Sequence, residues 1–297
     1  MSSVSGIPTK MKGVVCYAPG DYRMEALDVP AVGPEEVLVR VTAVGICAGD
    51  AKCYAGAPLF WGDKDREPYC QPPIVPGHEF IGEVVALGPG AAEKFSLELG
   101  DQAIAESIAP CWRCRYCTRG TYHMCMPHDI YGFHQRTPGA MAGYMKYISD
   151  SIVHKLEVAK KCGADVILNP GKCDVIAEVK KMTDGYGCDV YIEASGSPVS
   201  VKQGLHMIAK LGTFVEYSVF KNETSVDWTI IGDTKELNIH GGHLGYNTYP
   251  KAISMLANKE LPIDDIITHQ LPLADVVKGI DFVNSSSESI KVVLIPE

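Results

Sequence analysis

Nowhere in these 297 residues do glycines fall in the spacing G-x-G-x-x-G, although the chain has 29 of them. That spacing lets a backbone approach a pyrophosphate at a helix N-terminus, so the usual signature of a dinucleotide turn is missing. Gly185-Tyr186-Gly187 precedes an apolar run instead of following one and reads as a turn. Gly241-Gly242-His243-Leu244-Gly245 follows such a run, but glycine pairs alone are weak evidence. No uninterrupted apolar stretch reaches the length of a membrane span. Met1 to Lys12 lacks the apolar core of a secretory signal, so a cytoplasmic protein is the expectation. Positive charge is in deficit: 27 Lys and Arg against 36 Asp and Glu leave a formal net charge of −9. That balance argues against nucleic acid or an anionic membrane surface as the main partner.

Cysteine, by contrast, is abundant. Eleven cysteines without a secretion signal favour a reducing compartment, where thiols bind metal or stay free. Cys111, Cys114, Cys117 and Cys125 form a C-x2-C-x2-C-x7-C run, and such short loops can turn four sulfurs onto one tetrahedral ion. Buried thiols on a loop are the simpler alternative. A zinc-ribbon interaction module is another, slightly supported by Arg113, Arg115 and Arg119 and opposed by the acidic balance. Cys16, Cys53, Cys70, Cys162, Cys173 and Cys188 show no ligand-like spacing and read as small buried hydrophobes.

The first half reads as β-rich. Val37 to Val44 and Phe80 to Leu87 are apolar, β-branched runs bounded by Gly and Pro, which suggests a barrel-like domain. Tyr144 to Val153 reads as a strand with its exit. The second half alternates: strands are expected at Val166–Leu168, Asp189–Ala194, Thr213–Val219 and Glu236–His240. Helices are expected at Asp174–Met182 (Val175, Val179 and Met182 inward), Val199–Leu211 (Val201, Leu205, Ile208 and Ala209 inward) and Tyr249–Asn258. Strand-helix alternation implies a parallel sheet with helical crossovers.

Cys47-Ala48-Gly49-Asp50, Pro76-Gly77-His78-Glu79-Phe80, Gly82 to Gly88, Gly100-Asp101, the four-cysteine lobe and the closing Ser289-Ile290-Lys291-Val292-Val293-Leu294 stand in a recognisable order. The chain resembles the zinc-containing medium-chain alcohol and polyol dehydrogenases, in the sorbitol and erythritol/threitol dehydrogenase branch. The resemblance implies NAD(P)-dependent oxidation of a polyol or secondary alcohol, a GroES-like β-barrel zinc domain and a Rossmann-type sheet. It assigns Cys47 and His78 as catalytic zinc ligands, Glu79 as a carboxylate that can approach the metal, and Asp50 as the acid that orients the histidine. It gives Cys111, Cys114, Cys117 and Cys125 to a structural zinc. Tyr54, Phe60, Trp61 and Tyr131 become candidates for a substrate pocket, with loop packing the alternative.

Three departures stand beside it. Gly49 occupies the position where a Ser or Thr hydroxyl relays the substrate proton. No residue between Ser151 and Glu157 matches the third zinc ligand. The first strand, glycine turn and helix of the cofactor domain are absent, with Lys155-Leu156-Glu157 as the apparent deletion junction, so cofactor-binding residues are unknown. In the strand order 3-2-1-4-5-6, losing strands 1 and 2 would isolate Val166–Leu168 and bare an apolar parallel edge. The expected architecture is α/β plus β: residues 1–153 a GroES-like zinc domain, 154–270 an incomplete Rossmann-like domain, and 271–297 a segment returning to the first domain. The expected protein binds zinc, with weakened NAD(P) chemistry on a small polyol or alcohol, and forms a homo-oligomer. The alternative is a non-catalytic splice product or pseudoenzyme.

Overall fold

The computed structural model describes residues 2–104, 106–147, 164–245, 248–260, 266–285 and 289–297. The apparent junction at Lys155-Leu156-Glu157 lies outside them. The chain divides into two compact units, Met1–Cys162 with Gly245–Glu297, and Gly163–Leu244.

In the first unit, β1 (Ser2–Ser3) is followed by the hairpin β2 (Lys10–Ala18) and β3 (Asp21–Asp28), then by β4 (Val37–Gly45). Helix α1 (Ala48–Tyr54) and the short α2 (Pro58–Trp61) lead to β5 (Glu79–Leu87). Helix α3 (Ala91–Phe95), β6 (Gln102–Ile104) and β7 (Tyr144–Tyr147) complete this stretch. Strand β4 is the axis of a seven-stranded sheet: β5 flanks one edge, and β7 and a strand from the chain's end flank the other. Strand β4 is buried on both faces at Val37–Val39 and alternates beyond, with Arg40 and Thr42 exposed and Val41 buried. Val37, Val39, Val41 and Val44 therefore enter the main core, while Leu38 joins Val85 and Ala86 in a second cluster.

The second unit begins with α4 (Val175–Met182), where the Asp174 carboxylate accepts from the amides of Ile176 and Ala177 and so caps the helix. Then come β8 (Cys188–Glu193), α5 (Pro198–Met207), β9 (Ile208–Glu216) and β10 (Asn238–Gly241), which form a parallel sheet in the order β10-β9-β8. Tyr191 of β8 packs onto Gly204 of α5, where a Cβ would meet the ring at 2.3 Å, and its hydroxyl donates to Ser200 O at 3.0 Å.

Four expectations are corrected here. Val166–Leu168 is not a strand and Val166 is exposed, since no described strand lies beside it to take its hydrogen bonds. The third strand is Asn238–Gly241 instead of Glu236–His240, since Glu236 and Leu237 bond back to Gly232 and Ile231. Met182 faces solvent instead of the core. Helix α5 stops at Met207, not Leu211, because the Lys235 ammonium takes the carbonyls of Leu205 and His206 at 2.7 and 3.2 Å, and that of Ile208. A cation at a helix C-terminus also complements the dipole. Beyond it, Cys188 pairs with Ile208 and Val190 with Thr213, so the intervening residues loop out through Leu211 at φ 61°.

The remaining elements, α6 (Tyr249–Ala257), β11 (Ile267–Pro272), α7 (Val276–Ser285) and β12 (Lys291–Ile295), belong to the first unit. Strand β12 runs parallel to β11 and antiparallel to the end of β4. No helix among the described residues is long and apolar enough to cross a membrane.

Parallel sheets bury both faces, yet on β8 Val190 is 54% exposed and Ile192 61%. No strand lies on the outer side of β8 among the described residues. We expect hydrogen-exchange protection of Val190 to Glu193 to fall at least about tenfold below that of Val37 to Val44. Equal protection of the two strands, read by exchange mass spectrometry, would contradict the bare-edge arrangement.

Candidate functional site

Between β6 and β7 the chain leaves the sheet and folds into a small lobe. Cys111, Cys114, Cys117 and Cys125 bring their sulfurs within 4.8 Å of one another. A tetrahedral zinc with Zn–S near 2.3 Å requires sulfurs about 3.8 Å apart, and Cys114 Sγ stands 3.6 Å from Cys117 Sγ. Backbone amides turn toward the sulfurs: the Cys111 N–H donates to Cys125 Sγ at 3.2 Å. Amide donation, led by Cys117 N–H, lowers the Cys114 thiol to about 6, and the Arg113 amide lowers that of Cys111. Burial raises Cys117 and Cys125. The donor set fits zinc: two sulfurs are already inclined to the thiolate form, and the ion would supply the charge that deprotonates the others.

The second set of residues is built on the junction of β4 and α1. Cys47 is the N-cap of α1, its sulfur accepting from the Gly49 amide at 3.3 Å. Three residues on, Asp50 Oδ2 accepts from the Cys47 amide at 2.9 Å, completing a reciprocal capping box. That bond draws a carboxylate into the interior, where Asp50 is 1% exposed. Its other oxygen stands 3.6 Å from His78 Nδ1, a buried nitrogen with no hydrogen-bond partner. Burial raises the pKa of Asp50. At His78 burial acts downward, but Asp50 and Cys47 outweigh it and raise the ring to about 10. The pair therefore holds a proton across that gap, and a cation at the ring would displace it.

Glu79, next along β5, is held elsewhere: Lys291 Nζ of β12 donates to its Oε2 at 2.6 Å, and both side chains are largely buried. Burial would raise the Glu79 carboxyl, but Lys291 wins and lowers it. Gly45 is needed for this pair, because a Cβ there would lie 2.7 Å from Glu79 Oε2. Gly77 has φ 96° and no space for a side chain against Met141 and Val44, so only glycine turns the chain into His78 here. Among the described residues the four cysteines are the one group of three or more metal-type side chains gathered together; Cys47, His78 and Glu79 are close neighbours but do not converge in that way. The segment expected to carry a third ligand lies outside the described residues.

Gly49 faces this site. A Cβ there would stand 3.6 Å from Cys47 Sγ, 3.9 Å from Phe60 and 4.0 Å from His78 Cε1, ordinary contact distances. A serine would fit without a clash, so the missing hydroxyl is a matter of residue identity and not of space. Of the aromatic candidates, Phe60 stacks on Phe133 at 5.1 Å. Trp61 donates to Cys53 O, Tyr54 packs edge-on against Tyr22, and Tyr131 belongs to the main core. Phe133, not singled out in the sequence, tilts over His78 at 5.4 Å. Its only advance signal is an aromatic in a run with Tyr131. Lys291 was also missed as a site residue, although it stands inside the closing string that carried the resemblance.

Two family models match: the alcohol dehydrogenase GroES-like domain over residues 33–158 and the zinc-binding dehydrogenase model over residues 140–258. The chain is 42% identical to the erythritol/L-threitol dehydrogenase of Mycolicibacterium smegmatis, over 98% of this chain and 99% of that protein. That alignment spans 357 residues, more than the 297 of the chain, so the relative carries residues with no counterpart here. The fold matches that of 2R,3R-butanediol dehydrogenase from Bacillus subtilis (TM-score 0.79, 21% identity, covering 97% and 100% of the two chains). It also matches an alcohol dehydrogenase of Escherichia coli CFT073 complexed with NADH (TM-score 0.79, 19% identity, 97% and 100%).

Replacing Lys291 with Met leaves Glu79 buried without its cation and should destabilise the chain by about 3–5 kcal/mol. Adding Glu79→Gln to that variant should recover most of the loss in denaturant unfolding. Independent, additive losses would mean the pair is not coupled.

Proposed function

The chain belongs to the zinc-containing medium-chain alcohol and polyol dehydrogenases, and from that premise we propose a zinc-binding member in which the family reaction is weakened. That reaction would be NAD(P)-dependent oxidation of a polyol or secondary alcohol, the substrate class suggested by the relative that acts on erythritol and L-threitol. Zinc would polarise the alcohol oxygen as a Lewis acid. Cys47 and His78 are the residues that would hold that ion, and Cys111, Cys114, Cys117 and Cys125 would hold a second, structural one.

The chain's own groups then have separable roles. Asp50 holds the Cys47 backbone and faces His78, which fixes the ring's position and favours its far nitrogen as a ligand. Lys291 neutralises Glu79, so the site carries one fewer free negative charge than its residue list implies. Phe60 and Phe133 form an apolar wall beside His78 and limit water there. Gly49 offers no hydroxyl to pass on a proton.

One observation carries the weakening: β8 is the edge of a three-stranded sheet, and within Gly163–Leu244 no strand leading through a glycine-rich turn into a helix precedes it. A pyrophosphate needs such a turn at a helix N-terminus. The described residues do not supply that turn and so do not fit the cofactor. The alignment with the relative, longer than the chain itself, supports a reading of the chain as shorter than that protein. A non-catalytic zinc protein is the second reading, favoured by that same sheet edge.

Fluorescence titration of the zinc-supplemented full chain with NADH should show no saturable binding in the micromolar range. Saturable micromolar binding would overturn the proposal. Metal analysis after exhaustive dialysis should find one firmly held zinc per chain, lost in Cys114→Ser. Two firmly held ions would show that Cys47 and His78 complete a tight site on their own.

A further inference from the structure

The four cysteines of the lobe are not equivalent. Cys111 and Cys114 are partly exposed, while Cys117 and Cys125 are buried. Cys114 and Cys117 also share one turn of backbone. The Thr118 amide donates to Cys114 O at 3.0 Å, and the Thr118 hydroxyl reaches the same oxygen at 3.2 Å. The Gly120 amide donates to Cys117 O at 3.0 Å. On that turn the two sulfurs stand 3.6 Å apart. Cys111 is equally close to Cys114 in the chain, but Trp112, at φ 54°, turns the backbone between them. Cys125 arrives from beyond Tyr122–Met124, and its sulfur accepts from the Cys111 amide.

We infer that Cys114 and Cys117 are an oxidant-modification site, at which hydrogen peroxide closes a reversible disulfide and expels the zinc. The inference rests on the reading that the lobe holds zinc, whose sulfur ligands are thiolates. The Cys114 sulfur attacks one peroxide oxygen. The O–O bond breaks, a sulfenic acid forms and hydroxide leaves. The Cys117 thiolate then attacks the Cys114 sulfur. The S–S bond forms, the S–O bond breaks and a second hydroxide leaves. Two electrons pass from the sulfur pair to one peroxide, and two protons from solvent turn the hydroxides into water. The ion, left with Cys111 and Cys125, has lost half of its donors and departs. A dithiol with added zinc reverses the change.

Access sets the first target and reach sets the second. Cys114 is open to solvent where Cys117 is not, so peroxide meets it first. The cost of bringing two chain positions together grows with the loop between them. As the first oxidation weakens the metal, the partner on the same turn therefore closes ahead of Cys125, which lies across a longer loop. Loss of the ion also reaches beyond the lobe. The His128 amide donates to Cys125 O at 2.9 Å, and the Tyr69 hydroxyl donates to His128 O at 2.6 Å. The segment freed carries three exposed arginines, Arg113, Arg115 and Arg119.

The test treats the zinc-loaded full chain with excess peroxide beside a chromophoric zinc chelator, blocks free thiols, and maps denatured tryptic peptides without reduction. Cutting at Arg113, Arg115 and Arg119 puts the four cysteines on separate peptides, so each pairing is told apart. The expected result is release of the lobe's zinc together with a Cys114 peptide linked to a Cys117 peptide, both reversed by dithiothreitol and added zinc. Brief trypsin treatment of the native chain should cut at Arg113 and Arg119 about tenfold faster after oxidation. Zinc retained under peroxide would overturn the inference. So would zinc released with any other link, or with overoxidised cysteines and no Cys114–Cys117 link. A chain that holds no zinc before peroxide is added would fail the zinc reading itself, and the inference with it.

Discussion

The arrangement around His78 depends on how two buried carboxylates are balanced. Asp50 and Glu79 stand in an apolar interior where an uncompensated charge costs several kcal/mol. Asp50 is balanced by a backbone amide and the imidazole, Glu79 by an ammonium from the last strand. These bonds fix three otherwise separate segments at one place: the cap of α1, the first residue of β5 and the first residue of β12. Gly45 and Gly77 leave the space that the balance requires. The positions of Cys47 and His78 follow from it, since one is the cap and the other precedes the paired glutamate.

The two units differ in how well local choice and global packing agree. In the first, apolar runs lie on a central strand, a capping box starts the helix that follows, and each deeply buried charge discussed here has a partner. In the second, Val190 and Ile192 have the composition of a doubly covered strand but are exposed. Residues suited to burial on a bare face are a local–global conflict of the kind natural sequences avoid. The conflict sits on β8, which ends its three-stranded sheet with no strand on its outer side among the described residues.

What could be read from the sequence was what short spacing encodes. The four-cysteine lobe needs only one loop, and the run Val37–Val44 needs only its own pattern. Cys47, His78 and Asp50 could be read because they sit in short motifs. Lys291 could not be placed, since its partner Glu79 is 212 positions away and no periodicity links them. Phe133 becomes meaningful only when its loop lies over His78. The true end of α5 depends on Lys235, far down the chain, while Ile208 and Ala209 keep the helical spacing past that end. Val166–Leu168 has strand-like composition without a neighbouring strand among the described residues, and a strand without a ladder does not form.

The pairing of β12 with β4 also bears on the order of assembly. During synthesis, Glu79 leaves the ribosome long before the lysine that neutralises it, and the Ile46 amide waits equally long for Val292 O. The first half of the chain can collapse early around β4 and β5, but it does so with an unpaired interior carboxylate and an open edge on its central strand. The metal-type site is therefore the last part of its unit to mature, and a nascent chain stalled before Lys291 would hold a site that is charged and wet instead of neutral and closed.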